Sequence, residues 1–465
     1  MVSRNHFHVM LIMFIFFISF MTVLVLEPIN QTQVIYGLII IFLGILPSLI
    51  NFVDKKESDL IPLMPLSGLF YSIAFGFPTF SSKVYYYNGV DEINVIEALQ
   101  TTVFGLIFLN IGFYAFRNFY SKGTSFQFLN NVPIGRQIWI GWIVFLIYQL
   151  FTIFPFLRSL PSIGQMYTLL DYISLGLLFS LALENKLSKF HFIFLLLVIL
   201  YTILIKVLIG SLAPAFFLLV FLGIIYWYKK SKVPWAFILA GAIIVVGLNP
   251  VKSYYRDFIT NFGDAFQQLT YIEKANIFYE AIQIFYDGDI LNSLSADVST
   301  VNRSSHLPAF AKVISLTPKS VPFYSGETYK TLITSFVPRI IWPGKPVSRV
   351  GQDFGHRYNF LHHQDELTSF NVPWLIEFYA NFGKAGVILG MFAVGLLFRY
   401  LVAKLSAPMS QNVPFILGIT ITFNLFYAES NFALMVGGLL TKYIACLGLL
   451  WLLTAKYTLK SKFET

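Results

Sequence analysis

The chain has one cysteine, Cys446, among its 465 residues. A single cysteine cannot form a disulfide framework or a cysteine-based metal site. Charge is scarce too: Asp, Glu, Lys and Arg make up 12% of the residues, where a soluble globular domain carries roughly a quarter. So few charges cannot cover the water-facing surface of a chain this long. This excludes a cytosolic enzyme, a nucleic-acid-binding protein and a disordered tail.

Hydrophobic residues are abundant instead, at 57%, and the mean hydropathy is +0.70. Twelve apolar stretches match the length of about 17–25 residues that a membrane-spanning helix needs. They cover 9–26, 34–53, 60–80, 98–116, 137–156, 167–183, 190–207, 213–228, 233–249, 385–403, 413–428 and 432–454. Pro62, Pro65 and Pro78 interrupt the third stretch, which is the weakest and predicts a broken or re-entrant segment as the alternative. The first stretch has no cleavage motif after it and is predicted to remain as an anchor. The predicted fold is all-α, a polytopic helical membrane protein.

The distribution of Lys and Arg predicts the orientation of these spans. With the N-terminus inside, the inner connections and helix ends hold sixteen Lys and Arg, and the short outer connections hold three. This bias predicts cytoplasmic N- and C-termini. The net charge of +9 is accordingly attributed to the Lys and Arg that orient the spans and attract anionic lipid, not to affinity for nucleic acid.

One long connection stands apart from the spans. It divides the chain into spans 1–9 (1–249), a large outer loop (250–384), and spans 10–12 with the C-terminus (385–465). The loop holds twelve Lys and Arg, twelve Asp and Glu, and four of the seven histidines, so function is expected there. Apolar residues at helical spacing between Asp264 and Tyr286 predict an amphipathic helix on the membrane or over the bundle.

The most distinctive segment of the loop runs from Val337 to Pro346. Three prolines within nine residues exclude a regular helix or a central strand and leave a stiff backbone. Such a backbone can hold Arg339 and Lys345 rigidly beside the membrane, which suits a phosphate or pyrophosphate. Trp342 between them is interpreted either as a stacking platform for a sugar ring or as an interfacial anchor.

This segment is part of a longer pattern in the loop. The pattern comprises Gly326–Lys330, Val337–Pro346, Gly351, Phe354, Thr368–Ser369, Glu377–Tyr379 and Asn381–Gly383. Together with the span layout, it resembles the Wzy-type oligosaccharide repeat-unit polymerases, also called O-antigen polymerases, of the GT-C-like glycosyltransferase superfamily. Outside the loop the resemblance is weak.

The resemblance implies an enzyme of the bacterial cytoplasmic (inner) membrane whose large loop is extracytoplasmic. It would join oligosaccharide repeat units carried on undecaprenyl pyrophosphate into lipopolysaccharide O-antigen, capsule or exopolysaccharide. Its partners would be the lipid-linked donor and acceptor in the bilayer; binding of a chain-length regulator is left open. No cofactor is implied.

Basic side chains are expected to neutralise the pyrophosphate leaving group without a metal. They are Lys206, Lys252, Arg256, Arg303, Arg339 and Lys345, of which Arg303 and Arg339 are also expected to be catalytic. Lys206 marks a departure from the family, which often has a Gly-Ser-Arg turn in a short outer connection. This chain has Gly210-Ser211-Leu212, and Lys206, about one helical turn earlier, is expected to replace the arginine.

The general base for the acceptor hydroxyl has three candidates, His356, Glu327 and Glu377, among which the sequence does not choose. No metal site is predicted. The one Asp-x-Asp pair of the loop, in Asp287–Asp289, is interpreted as a turn, and the histidine spacing after His356 matches no standard zinc site.

Lys442 lies in the middle of the last span, where a charge is costly and needs a partner. An ion pair with Asp171 or Glu429 is expected, with contact to a lipid phosphate as the alternative.

Three rival functions remain. A ligase that transfers finished glycan to lipid A core or to protein would differ only in its acceptor. A lipid-glycan flippase or transporter is disfavoured because no matching halves are visible, and a non-enzymatic scaffold is disfavoured by the rigid basic segment.

Overall fold

The computed structural model describes residues 30–53, 61–81, 84, 86–115, 126, 129–154, 156–159, 164–263, 265–287, 305–335, 337, 342, 344–345, 349–366 and 368–463. Every regular element in these residues is a helix, which confirms the all-α prediction. The first predicted span, 9–26, lies outside the described residues.

The helices are, in chain order, α1 Gln31–Val53, α2 Leu63–Tyr71, α3 Glu92–Ala115, α4 Ile134–Ile153, α5 Phe156–Ser159, α6 Gly164–Leu183, α7 Lys189–Leu208, α8 Ala213–Lys230, α9 Trp235–Ala242, α10 Asn249–Phe262, α11 Ala265–Gln268, α12 Tyr271–Asp287, α13 Leu307–Leu316, α14 Lys330–Ser335, α15 Val350–Arg357, α16 Trp374–Leu405, α17 Asn412–Thr422 and α18 Phe432–Phe463.

Eight segments of the described chain are helical, long and apolar enough to cross a membrane. They are Gln31–Ile50, Leu63–Phe80, Glu92–Ala115, Ile134–Ile153, Lys189–Leu208, Ala213–Lys230, Trp374–Leu405 and Phe432–Thr454. Each overlaps a predicted span, although Trp374–Leu405 begins eleven residues before the predicted start at 385, and together they are compatible with a membrane protein. The predicted count of twelve is not confirmed, since the stretches 167–183, 233–249 and 413–428 are not among these eight and the first stretch lies outside the described residues.

The proline-rich third span is one continuous helical segment whose pitch changes along its length. The α-helix Leu63–Tyr71 passes into a π-helical turn, Ser72–Gly76, and then into a 3₁₀ turn, Phe77–Phe80. Pro62 precedes the first turn, where a missing N–H costs nothing, and Pro78 lies in the first positions of the 3₁₀ turn. The prolines are therefore placed where helical geometry tolerates them.

The chain divides into two compact units. Unit 1 comprises 1–132, 148–169 and 302–465, and unit 2 comprises 133–147 and 170–301. Within unit 1, α3 packs closely along α16. A Cβ at Gly112 would lie 2.3 Å from the Phe392 carbonyl oxygen, and one at Gly395 would lie 2.3 Å from that of Leu109. Only glycine allows the two backbones to approach this closely, as in tightly packed membrane helices.

Unit 2 contains the amphipathic segment predicted between Asp264 and Tyr286. The structure divides it into α11 and α12 because Thr270 and Glu273 form a capping box. The Thr270 N–H donates to Glu273 Oε2 at 2.7 Å, and the Glu273 N–H donates to Thr270 Oγ1 at 3.3 Å. The prediction of a single continuous amphipathic helix was therefore wrong. The apolar residues of the segment nevertheless pack against Tyr255 of α10.

Candidate functional site

The candidate site is built around Glu377, in the first turn of α16. Its side chain is fully buried, at 0% exposure. Carboxylate Oε2 accepts a 2.7 Å hydrogen bond from the backbone N–H of Phe432, the first residue of α18. The N–H groups of a first helical turn have no partner within their own helix, and the helix dipole favours a negative charge there. The α18 N-terminus thus compensates part of the cost of burying this carboxylate.

Asn381, one turn after Glu377, connects the carboxylate to a loop about fifty residues earlier in the chain. The Asn381 side chain is fully buried and makes three hydrogen bonds. Its Oδ1 accepts from the Gly326 N–H at 2.9 Å, and its Nδ2 donates to Thr328 Oγ1 at 2.9 Å and to the Glu377 carbonyl at 2.8 Å. Two backbone bonds, from Tyr324 and Ser325 to the carbonyls of Ala380 and Asn381, complete the attachment.

This attachment joins two of the segments that carry the family resemblance, Gly326–Lys330 and Glu377–Gly383. We call the group formed by the buried Thr328, Glu377 and Asn381 with the half-buried Tyr329 the Glu377 cluster. It belongs entirely to unit 1. The sequence indicated both segments but contained no sign that an asparagine amide holds them together.

Two polar atoms of the Glu377 cluster have no hydrogen-bond partner of normal geometry within the described chain. They are the second carboxylate oxygen, Glu377 Oε1, and the hydroxyl of Tyr329. Burial, and next the nearby Glu377 carboxylate, raises the pKa of Tyr329. The phenol is therefore protonated at neutral pH, so the cluster presents a hydroxyl donor beside an acceptor oxygen.

A kink in α16 follows the cluster immediately and explains the glycine of the Asn381–Gly383 motif. Phe382 and Gly383 leave helical geometry, and Gly383 has a φ of +63°. Residues with a Cβ rarely adopt this conformation. A Cβ here would also lie 3.3 Å from Cζ of Phe323, in the segment that leads into the Gly326 turn. Glycine thus lets α16 bend where the loop attaches.

The other two candidate bases have different surroundings. Glu327 is exposed and forms an ion pair with Lys330, with Oε1 and Nζ 3.3 Å apart. His356 lies half-buried in α15, with its ring centroid 6.5 Å from that of His363. Among the three, Glu377 is the one that is enclosed by protein.

Of the basic residues predicted in unit 1, Arg303 and Arg339 lie outside the described residues. Lys345 closes a turn, since its N–H donates to the Trp342 carbonyl at 3.1 Å, and its Nζ donates to the Val337 carbonyl at 3.1 Å. Trp342 is 41% exposed, as either a stacking platform or an interfacial anchor requires.

The remaining predicted cations belong to unit 2. Lys252 and Arg256 lie on α10, with Arg256 exposed and Lys252 half-buried. Lys206, in the last turn of α7, forms an ion pair with Asp171, whose carboxylate oxygen is 2.8 Å from Nζ. The pair is well shielded, with side-chain exposures of 12% and 1%.

Sequence reasoning missed a buried contact in unit 1 between His306 and Glu429, whose Nε2 and Oε1 are 3.6 Å apart. Burial lowers the pKa of His306 to about 4, so its imidazole is neutral at pH 7. Burial also raises the pKa of Glu429, against the effect of a hydrogen bond with Asn371. The contact is therefore not a full ion pair. In the described part of unit 1, Lys442 forms no ion pair with Glu429, which lies against His306, so that predicted pair is wrong. The predicted pair of Lys442 with Asp171, a residue of unit 2, stays a prediction.

These sites all lie within the part of the chain that comparison with known families covers. A family described as a domain of unknown function, DUF8712, matches residues 60–461. The chain belongs to the DUF8712 family. No curated protein and no solved structure matches it. The family description assigns no activity, so function has to be argued from the residues.

Proposed function

We propose that this DUF8712 protein is a metal-independent glycosyltransferase that polymerises oligosaccharide repeat units linked to undecaprenyl pyrophosphate. It would act at the outer face of the bacterial cytoplasmic membrane, with the segment 250–384 outside. The observation that supports this best is the Glu377 cluster. In it, a buried carboxylate that no described cation pairs with is held against the Gly326 turn by Asn381. The polymerase resemblance rests on the same two segments.

The cluster has the chemistry that such a transfer requires of a base. The hydroxyl oxygen of the acceptor sugar would attack C1 of the donor sugar and form the new glycosidic bond. The bond from C1 to the phosphate oxygen would break, and pyrophosphate on its lipid would leave with the electron pair. Glu377 Oε1, which has no hydrogen-bond partner of normal geometry in the described chain, would take the hydroxyl proton.

The leaving group would need positive charge rather than a base. Arg303, Arg339 and Lys345 are proposed to supply it from the loop. Lys206, Lys252 and Arg256 belong to unit 2 and stay predictions of the sequence, with Lys206 paired to Asp171 in this conformation. Trp342, exposed beside Lys345, would stack on a sugar ring.

Access to Glu377 requires a movement, since the carboxylate has no exposed surface in this structure. The Gly326–Lys330 segment lies against it, attached to α16 by the hydrogen bonds to Ala380 and Asn381. The Tyr329 ring adds contacts with the rings of Phe378, Phe382 and Phe432. Release of both sets of contacts would expose Glu377 Oε1 and the Tyr329 hydroxyl together. We propose that entry of the acceptor sugar displaces the turn.

The test is the glycan profile of a host strain that lacks this chain. Accumulation of single repeat units on lipid carrier, or capped singly, is expected for a lost polymerase, and the full-length chain should restore long chains. Long polymer that stays on the carrier lipid would instead identify a ligase. Units trapped on the inner leaflet would identify a flippase, and either result would overturn the proposal. An unchanged profile would overturn it as well.

A further inference from the structure

Lys442 is a lysine in the middle of α18, inside the apolar stretch Phe432–Thr454. It lies about 15 Å along the helix from Phe432, at 1.5 Å rise per residue. A charge at such a position is costly and marks a functional site unless a partner neutralises it. The proposed reaction, as described above, does not use this residue.

No such partner is present in the described part of unit 1, where Lys442 makes neither an ion pair nor a hydrogen bond. Glu429, the carboxylate of that unit that could have served, lies against His306 instead, with Oε1 and Nε2 3.6 Å apart. One turn further along α18 is Cys446, which is 3% exposed. The ammonium group therefore has no anionic partner in the described part of unit 1.

The conformation of the side chain shows where an anion would fit. A Cβ built on Gly438, one turn before Lys442, would meet Lys442 Cε at 3.7 Å and no other side chain of the described residues within 4 Å. The lysine thus runs back along α18 toward Phe432, as helical side chains do. The missing side chain at Gly438 leaves open space beside the end of the lysine.

This space lies beside a half-buried Lys442, on a helix that the described chain buries little and next to α14. Only 22% of the apolar stretch of α18 is buried by the described chain, so a lipid can reach the helix. Directly before Gly438, a Cβ at Gly437 would collide with the Ser335 side chain of α14. The end of α14 therefore packs against α18 next to Gly438.

We propose that Lys442 binds a phosphate group carried by a membrane lipid, in the space left by Gly438. Resting on the proposed function, we assign this ligand as the lipid-linked pyrophosphate, held with its prenyl chain along the exposed surface of α18. A pyrophosphate would supply the counter-charge for the Lys442 ammonium group. The lysine, on α18 next to α14, would in turn neutralise part of the negative charge of the pyrophosphate.

The experiment measures binding, so it does not depend on glycosyl transfer. The full-length protein is purified in nanodiscs, and undecaprenyl pyrophosphate is titrated into wild type, Lys442→Met and Lys442→Arg. A charge-assisted contact predicts that Lys442→Met weakens binding about tenfold to a hundredfold and that Lys442→Arg largely retains it. Gly438→Leu, which keeps the charge and fills the space, should weaken binding as well. The Gly438→Leu variant provides an independent binding test of the site if Lys442→Met does not fold.

Further arms separate the sources of phosphate. Undecaprenol should not compete. Inorganic pyrophosphate that binds as tightly as the lipid would overturn the lipid part of the proposal, and phosphatidylglycerol that competes equally would overturn the assignment to pyrophosphate. Equal binding by wild type, Lys442→Met and Gly438→Leu would overturn the site itself. Normal polymerisation with that result would leave the proposed function standing. Specific binding without any polymerisation would overturn the proposed polymerase function and support the phosphate site at Lys442.

Discussion

Glu377 and Phe432 are joined by a 2.7 Å hydrogen bond from the Phe432 N–H to the Glu377 carboxylate, although 55 residues separate them in the chain. The bond gives the carboxylate a structural task, the capping of α18. The uncommitted oxygen of the same carboxylate is the one assigned to proton transfer. A substitution that keeps the hydrogen bond from Phe432 but prevents proton transfer can separate these two roles of Glu377.

Glu377→Gln is expected to fold and to lose activity. The glutamine oxygen can still accept from the Phe432 N–H, but the amide cannot take a proton. Loss of a general base lowers turnover by about 10²–10⁴-fold. The measurement is chain formation by reconstituted protein from lipid-linked repeat units, beside thermal unfolding in the same detergent.

The matched control is Glu327→Gln, at the exposed carboxylate paired with Lys330, which should keep wild-type activity. Glu377→Ala should in addition destabilise the protein by about 1–3 kcal/mol, because the Phe432 N–H is left buried without an acceptor. Full activity in Glu377→Gln would remove this residue from the mechanism.

Asn381→Ala is expected to release the Gly326 turn from α16. It removes three buried hydrogen bonds, each worth about 1 kcal/mol net. Amide hydrogen exchange at Ser325 and Gly326 should become at least about tenfold faster, since 1.4 kcal/mol is a factor of ten in an opening equilibrium. Asn276→Ala, at an exposed position of α12, should change nothing. Unchanged exchange in Asn381→Ala would mean that other contacts hold the turn.

His306 makes stability depend on pH in a defined direction. Its pKa is about 4 in the folded protein and about 6.5 when unfolded, so the unfolded chain binds more protons between these values. Stability from this group is therefore complete above pH 6.5 and decreases as pH falls toward 4, by on the order of 3 kcal/mol over the full shift. Thermal unfolding across this range measures it.

Glu429 has the opposite effect on stability. Because its pKa is raised in the folded state, its contribution to the free energy of unfolding is present at low pH and is lost as pH rises. His306→Gln should therefore abolish the increase of stability between pH 4 and 6.5, and Glu429→Gln should make it steeper. His362→Gln, at an exposed histidine, serves as the control. An unaltered profile in His306→Gln would contradict the assignment.

Arg303→Ala and Arg339→Ala are each expected to abolish long-chain polymer while the protein stays in the membrane. The reason is that the pyrophosphate leaves with its charge uncompensated. Single repeat units should accumulate on the lipid carrier, as seen on a glycan gel. Lys319→Ala removes one exposed positive charge from the same segment and should be silent. Normal chains in both arginine variants would exclude these residues from catalysis.

Chelators are expected to leave the activity unchanged, because the proposal assigns leaving-group stabilisation to Arg and Lys. The purified protein would be assayed with lipid-linked repeat units before and after treatment with EDTA. Strong inhibition that a divalent cation reverses would overturn the metal-free proposal and direct attention to the carboxylates.

The sequence by itself determined the class of the protein. Apolar stretches of spanning length specify helices through local backbone hydrogen bonding, which depends on residues only four positions apart. For this reason eight predicted spans coincide with long apolar helices. The two segments of the resemblance could also be picked out in the sequence, as could the three candidate bases.

Only the tertiary structure decided which of these residues meet. The bonds of Asn381 to Gly326 and Thr328 cross 55 and 53 positions, and no local pattern encodes them. The same holds for the ion pair of Asp171 with Lys206, 35 positions later in the chain. A buried polar group must take whichever partner helix packing brings within 3 Å, since leaving it unsatisfied costs more than the bond returns. Packing, not sequence proximity, therefore selected Glu377 and isolated Lys442.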